Sequence, residues 1–267
     1  MKKQMDSELK GHEYTLPLRR EVSAVMHIIR AQSYKLKICL DIGFTHVGVS
    51  RYFRNKIGGF WMTVEPTSAR SAMVADQLEE GTVFTLGPKG ELPFEDRQFD
   101  AVILGHGSLS SDPDRTARMI REAHRVLKTG GLLLLTVEAR KRFGLANYMN
   151  RNHPLSNTGG VFSEGDIFQL LKGGFDVLTF RYSCRFWVQL VRQWADRRAE
   201  KGLYGGSSFG LNFLYALAHI LDAPLIWTRG YQMTVCGRRK GWREQGTKIK
   251  VKGVLVSDAI LFDTKTN

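Results

Sequence analysis

Short, largely apolar runs punctuate the first half of the chain at 36–40, 60–64, 82–86, 99–104 and 132–137. Such runs read as strands buried on both faces of a sheet. Between them, apolar residues return every third or fourth position, the spacing that lines one face of a helix. The clearest case is Met119, Ile120, Ala123, Val126 and Leu127, with Arg118, Arg121, Glu122 and Arg125 facing water. Asp112 can accept from the first unpaired N–H groups of that helix, Pro113 suits its first position, and Gly130-Gly131 are expected to stop it. Strand, helix and strand in this order predict a right-handed crossover. Val22, Val25, Met26 and Ile29 predict an earlier amphipathic helix that covers the edge of the sheet.

The pattern changes after Glu138. Residues 139–162 have a loop-like composition and form a connection longer than usual, the kind that carries function. Ser163-Glu164-Gly165-Asp166 reads as a capping box that opens a short helix with Ile167, Phe168, Leu170 and Leu171, stopped by Gly173-Gly174. A strand is expected over 175–183, helices near 186–200 and 207–221, and a last strand over 231–237. Lys248, Lys250 and Lys252 then alternate with Ile249 and Val251, as in a charged edge strand. The organisation is therefore a polar segment over 1–17 and one α/β domain over 18–240, followed by a β extension over 241–267. Within the domain, a helical insertion over 186–227 precedes the last strand. Alternating strand and helix predict a doubly wound, Rossmann-like sheet with helices on both faces.

Charge narrows the choice of partner. The chain of 267 residues has 39 basic against 26 acidic residues, a net charge of +13, which favours an anionic partner: nucleic acid, an anionic lipid surface or a phosphorylated substrate. Cys39, Cys184 and Cys236 are far apart, so neither a disulfide framework nor a metal site is expected, and a reducing cytoplasm fits best. Met1-Lys2-Lys3-Gln4 leads into polar residues rather than the apolar core of a secretory signal. The stretch 203–227 is unusual, because its only ionisable side chains other than tyrosines are His219 and Asp222. Its apolar segment is shorter than the roughly 20 residues that span a bilayer. Arg192, Arg197, Arg198 and Lys201 precede it, and Arg229, Arg238, Arg239 and Lys240 follow. A helix lying on an anionic inner-membrane surface, a lid over a greasy acceptor and a packed core or dimer helix all remain open.

Three blocks carry a family resemblance: Leu92-Pro93-Phe94-Glu95-Asp96, the run 99–104, and Arg125-Val126-Leu127-Lys128-Thr129-Gly130-Gly131 leading into 132–135. In this order they resemble the second half of a class I S-adenosylmethionine-dependent methyltransferase. The run from His153 through Phe162-Ser163-Glu164-Gly165-Asp166 to Gly174-Phe175 is similar to the type 11 subgroup related to ubiquinone and menaquinone methyltransferases. The resemblance implies a seven-stranded sheet, S-adenosylmethionine as cofactor, and methyl transfer to a small or lipid-like acceptor.

By the same resemblance, the cofactor lies at Asp41, Gly43, Phe44, Thr45 and Gly48, with Leu92 and Gly105 beside it. Glu65, at the tip of the second strand, accepts from both ribose hydroxyls. This chain departs from the family's alternating glycines, because Phe44-Thr45-His46-Val47 separate Gly43 from Gly48, and Pro88 stands where a further acid meets the adenine. His106, in the loop after the fourth strand, is the candidate general base. Arg140, Arg142 and His153 are the candidate acceptor-binding residues. Each has a plainer reading: a strand-to-helix turn, a solvated acid, backbone-bonded histidines and a solvated basic turn. Two other functions stay open, a catalytically silent binding or scaffold protein with this fold, and an RNA-directed methyltransferase prompted by the charge alone.

Overall fold

The computed structural model describes residues 16–31, 36–43, 47–78, 81–105, 108–109, 112–140, 161–200, 208–225, 229–241, 249–251 and 254–256. The strands are β1 (Ile38–Ile42), β2 (Phe60–Glu65), β3 (Val83–Thr85), β4 (Phe99–Leu104), β5 (Leu127–Ala139), β6 (Val161–Phe162), β7 (Phe175–Ser183) and β8 (Gln232–Arg239). They form one sheet in the order β3-β2-β1-β4-β5-β8-β7, with β6 beside β5. The neighbours from β3 to β5 are parallel, and β8 runs antiparallel to both β5 and β7. The expected doubly wound sheet is present, with eight strands rather than seven because β6 adds a short strand to β5. At the C-terminal end β9 (Ile249–Val251) and β10 (Val254–Val256) make a separate antiparallel pair rather than an edge of the main sheet.

The apolar runs divide by alternation between the two faces. Leu40, Ile42, Val102, Leu104, Leu133 and Leu135 pack with Met119, Ile120 and Ala123 of α4 (Pro113–Val126) and with Ile167 and Leu171 of α5 (Glu164–Leu171). Cys39, Ala101, Ile103, Leu132 and Leu134 pack on the other face against α1 (Leu16–Ala31) and α2 (Val47–Ile57). Helix α1 was expected to cover the edge of the sheet, and it lies against the edge strand β7 and its neighbour β8, with Val22, Val25 and Met26 in the same cluster as Leu132 and Cys236.

Two boundaries fall away from the glycines that seemed to set them. Helix α4 ends at Val126, because Leu127 takes an extended conformation (φ −71°, ψ 143°) and starts β5 directly. Gly130-Gly131 instead build an irregularity within β5: Phe99 pairs with Leu127 but Ala101 pairs with Leu132. Gly130 has φ +77°, and a Cβ on Gly131 would lie 2.8 Å from the Lys128 carbonyl oxygen. The glycines are needed for this β-bulge, not for a helix stop.

The Leu92–Asp96 turn is bound to α4 by Arg125. Its guanidinium donates to the Phe94 carbonyl at 2.7 Å, the Leu92 carbonyl at 3.0 Å and the Asp96 carboxylate at 3.0 Å. Glu122 accepts from Arg125 and from the Leu92 N–H. Asp100 does the same for strand starts, accepting from the Lys37 and Ile38 N–H groups and from Lys128 Nζ.

Candidate functional site

The chain runs outward from β1 through β2 to β3, then returns to β4 on the other side of β1. Ligands of open α/β sheets bind at such a switch point, outside the carboxyl ends of the strands. Here those ends are tied together: Gly43 N–H donates to the Val64 carbonyl at 3.2 Å, and Gly105 N–H donates to the Ile42 carbonyl at 2.9 Å. Gly43 has φ +64°, and a Cβ there would meet the Ser108 Cβ at 3.2 Å. Ser108 is held against Gly105, its N–H and its hydroxyl both donating to the Gly105 carbonyl. Gly43 is thus required by backbone conformation and by the approach of the β4 loop.

Asp41 is fully buried at the end of β1. Its Oδ2 accepts from the Ser50 hydroxyl of α2, while its Oδ1 has no hydrogen-bond partner within 3.5 Å among the described residues. Burial pushes the Asp41 pKa up, against the Ser50 and Thr63 hydroxyls and the Arg54 guanidinium, which pull it down. Glu65 is 2% exposed at the end of the neighbouring β2, and its Oε2 accepts from Arg70 Nε at 2.6 Å. Burial raises its pKa too; Arg70 lowers it and the nearby Asp41 raises it. Arg70 is delivered by α3 (Ser68–Ala75), whose first turn is capped by the Thr67 hydroxyl accepting from the Arg70 N–H. Two buried carboxylates therefore stand on adjacent strand tips, one with an unpartnered oxygen and the other held by an arginine.

The remaining predicted residues fall in several places. Gly48 lies in the first turn of α2. Leu92 is buried in the core on the α4 face, with its backbone held by Glu122 and Arg125. Pro88 is exposed in a tight turn closed by Gly90 N–H donating to the Gly87 carbonyl. Arg140 directly follows β5 and reaches the start of α5, with Nη1 3.4 Å from Asp166 and Nη2 donating to the Val161 carbonyl. Phe44, Thr45, His106, Arg142 and His153 lie outside the described residues. Ser50 and Arg70 were missed in the sequence, since nothing local marks them. Arg70 becomes visible as a partner only once β2 is known to end at Glu65.

A sheet in the order 3-2-1-4-5, extended by a last strand antiparallel to its neighbours, with acids on the tips of β1 and β2, defines the class I methyltransferase fold. Residues 40–135 match the family model described as a methyltransferase domain. Demethylmenaquinone methyltransferase from Thermotoga maritima is 30% identical over 96 residues, which are 36% of this chain and 41% of that relative's length. Among solved structures, phosphoethanolamine N-methyltransferase 2 from Haemonchus contortus, in complex with S-adenosyl-L-methionine, superposes with a TM-score of 0.57 at 14% identity. That superposition covers 89% of this chain and 56% of the other. A Galdieria sulphuraria protein provisionally described as a sarcosine dimethylglycine methyltransferase gives a TM-score of 0.58 at 14% identity, covering 84% and 86%. These likenesses bear on the fold.

Proposed function

We propose that this chain transfers a methyl group from S-adenosylmethionine to a small or lipid-like acceptor. The observation that carries this reading is the unpartnered Oδ1 of Asp41, a buried acceptor beside the positive-φ turn at Gly43. A buried polar atom left unpaired costs roughly 1–3 kcal/mol, so a ligand that supplies a donor there binds with that strain relieved. Asp41, Gly43, Glu65 and Gly105 are the residues that would hold the cofactor, and their chemistry fits a cationic nucleoside. The bound cofactor supplies an electrophilic methyl group on a sulfonium. Asp41 and Glu65 set two carboxyl groups on that side of the sheet, and Gly43 leaves the backbone close enough for contact. In-line transfer needs alignment of acceptor and methyl group more than it needs a base, so His106 is an accessory in this reading. The name of the Thermotoga maritima relative supports a lipid-like acceptor, and that of the Haemonchus contortus neighbour a small one.

Titration calorimetry with S-adenosylhomocysteine is the direct test. Measurable heat that Glu65→Gln weakens supports the assignment; no heat at millimolar ligand on folded protein overturns it. The second reading, a catalytically silent member of the same fold, is favoured by the Arg70–Glu65 pair, which already occupies one oxygen of the ribose acceptor. It expects no heat from the parent and a gain of binding when Thr45→Gly moves the turn toward alternating glycines.

A further inference from the structure

The helices α6 (Phe186–Glu200) and α7 (Ser208–Asp222) form a hairpin between β7 and β8, with Cys184, Val188, Tyr215 and Ala218 as its own small core. Its place in the sheet follows from the registers: Ser183 pairs with Gln232, and Gln232 pairs with Glu138 near the end of β5. The hairpin therefore rises from the same carboxyl rim as Asp41 and Gly105.

Helix α7 is apolar almost all the way round, and only one side is covered. Tyr215, Ala218 and Asp222 face inward, the last 1% exposed and accepting from the Trp187 and Val188 N–H groups at the start of α6. On the outward arc Phe213 is 62% exposed and Ile220 68%, with Leu214, Leu217 and Leu221 also exposed. Trp187 and Trp194, seven residues apart on α6, expose their rings as well. A helix apolar on every side belongs in a core or in lipid, and an exposed apolar stripe with neighbouring tryptophans is the pattern of an interfacial helix. Asp222 is consumed internally, so α7 turns no exposed carboxylate outward. Beyond it Arg229 is 68% exposed, 3.3 Å from the Glu164 carboxylate, and the whole chain carries +13. No helix of the described residues is long and apolar enough to cross a membrane.

The geometry points to a peripheral docking surface: the outward face of α7, with Trp187 and Trp194 of α6, lies in the interface of an anionic lipid bilayer and brings the carboxyl rim of the sheet to the headgroups. Charge complementarity selects this occupant, because an apolar stripe free of exposed acid on a strongly basic chain fits an anionic surface better than a second copy of the same positive charge.

The test is flotation of the full chain with phosphatidylcholine vesicles that contain phosphatidylglycerol, against phosphatidylcholine alone. Binding to the mixed vesicles is expected, weakened by salt, and Ile220→Glu or Phe213→Ser should lower partitioning about tenfold without moving the thermal midpoint. Absence of binding at low salt overturns the assignment. So does binding that Ile220→Glu leaves intact, which would be adsorption by charge alone. A doubled mass in light scattering that Ile220→Glu halves, without vesicle binding, identifies a self-dimer and overturns it too. The readout needs no cofactor, so it fails or succeeds independently of the calorimetry with S-adenosylhomocysteine.

Discussion

Asp41 is maintained against its own stability interest. Its carboxyl pKa is raised by burial, so the folded protein disfavours its charged form. For an acid whose folded pKa lies above its unfolded value, stability falls as pH rises through that window, and the cost persists at neutrality. Asp41→Asn keeps an acceptor for Ser50 and removes the charge. It is expected to raise the thermal midpoint by about 2–4 °C while abolishing the heat of S-adenosylhomocysteine binding. Scanning calorimetry together with titration separates the two effects, and a lowered midpoint would count against a strained carboxylate. The sequence put Asp41 and Gly43 at the end of the first strand and Glu65 at the end of the second, because strand ends are local features. It could not show Ser50 on one carboxylate and Arg70 on the other, since both pairings depend on how α2 and α3 pack.

At the scale of elements, the Leu92–Asp96 turn and α4 behave as one unit because Arg125 and Glu122 hold the turn's backbone. Arg125→Met leaves the Leu92 and Phe94 carbonyls and the half-buried Glu122 without their partner. A loss of about 2 kcal/mol in urea unfolding is expected, with Arg121→Met close to neutral as the control. This unit was the most legible part of the chain, and the reason is visible: cap, amphipathic face and turn are written within about 40 residues. The glycine pair after it was misread because a positive φ serves a helix end and a β-bulge equally well. Only the pairing of β4 with β5 decides between them.

For the whole molecule, one buried histidine sets a pH dependence. His124 of α4 packs edge-on against Phe175 of β7 and lies 3.4 Å from Arg239 Nε of β8. Burial first, then Arg239, lowers its pKa from 6.5 to about 4. Below the unfolded value the unfolded chain takes up a proton that the folded one refuses, so stability drops as pH falls through that window and levels off beneath it. Between about pH 7 and about pH 5 the loss should be about 2 kcal/mol, and His124→Gln should flatten it in urea titrations. An unchanged slope in the variant would place the titration elsewhere. Neither this contact nor the outward face of α7 could be read along the chain. By itself the sequence determined most of the main sheet's strands, the α4 face and the order of elements, because periodicity and capping act over one or two turns. Only the tertiary structure decided that Asp41 keeps an empty acceptor, that Arg70 closes on Glu65, and that the apolar helix α7 is covered on one side alone, because each depends on what distant segments bring to a shared surface.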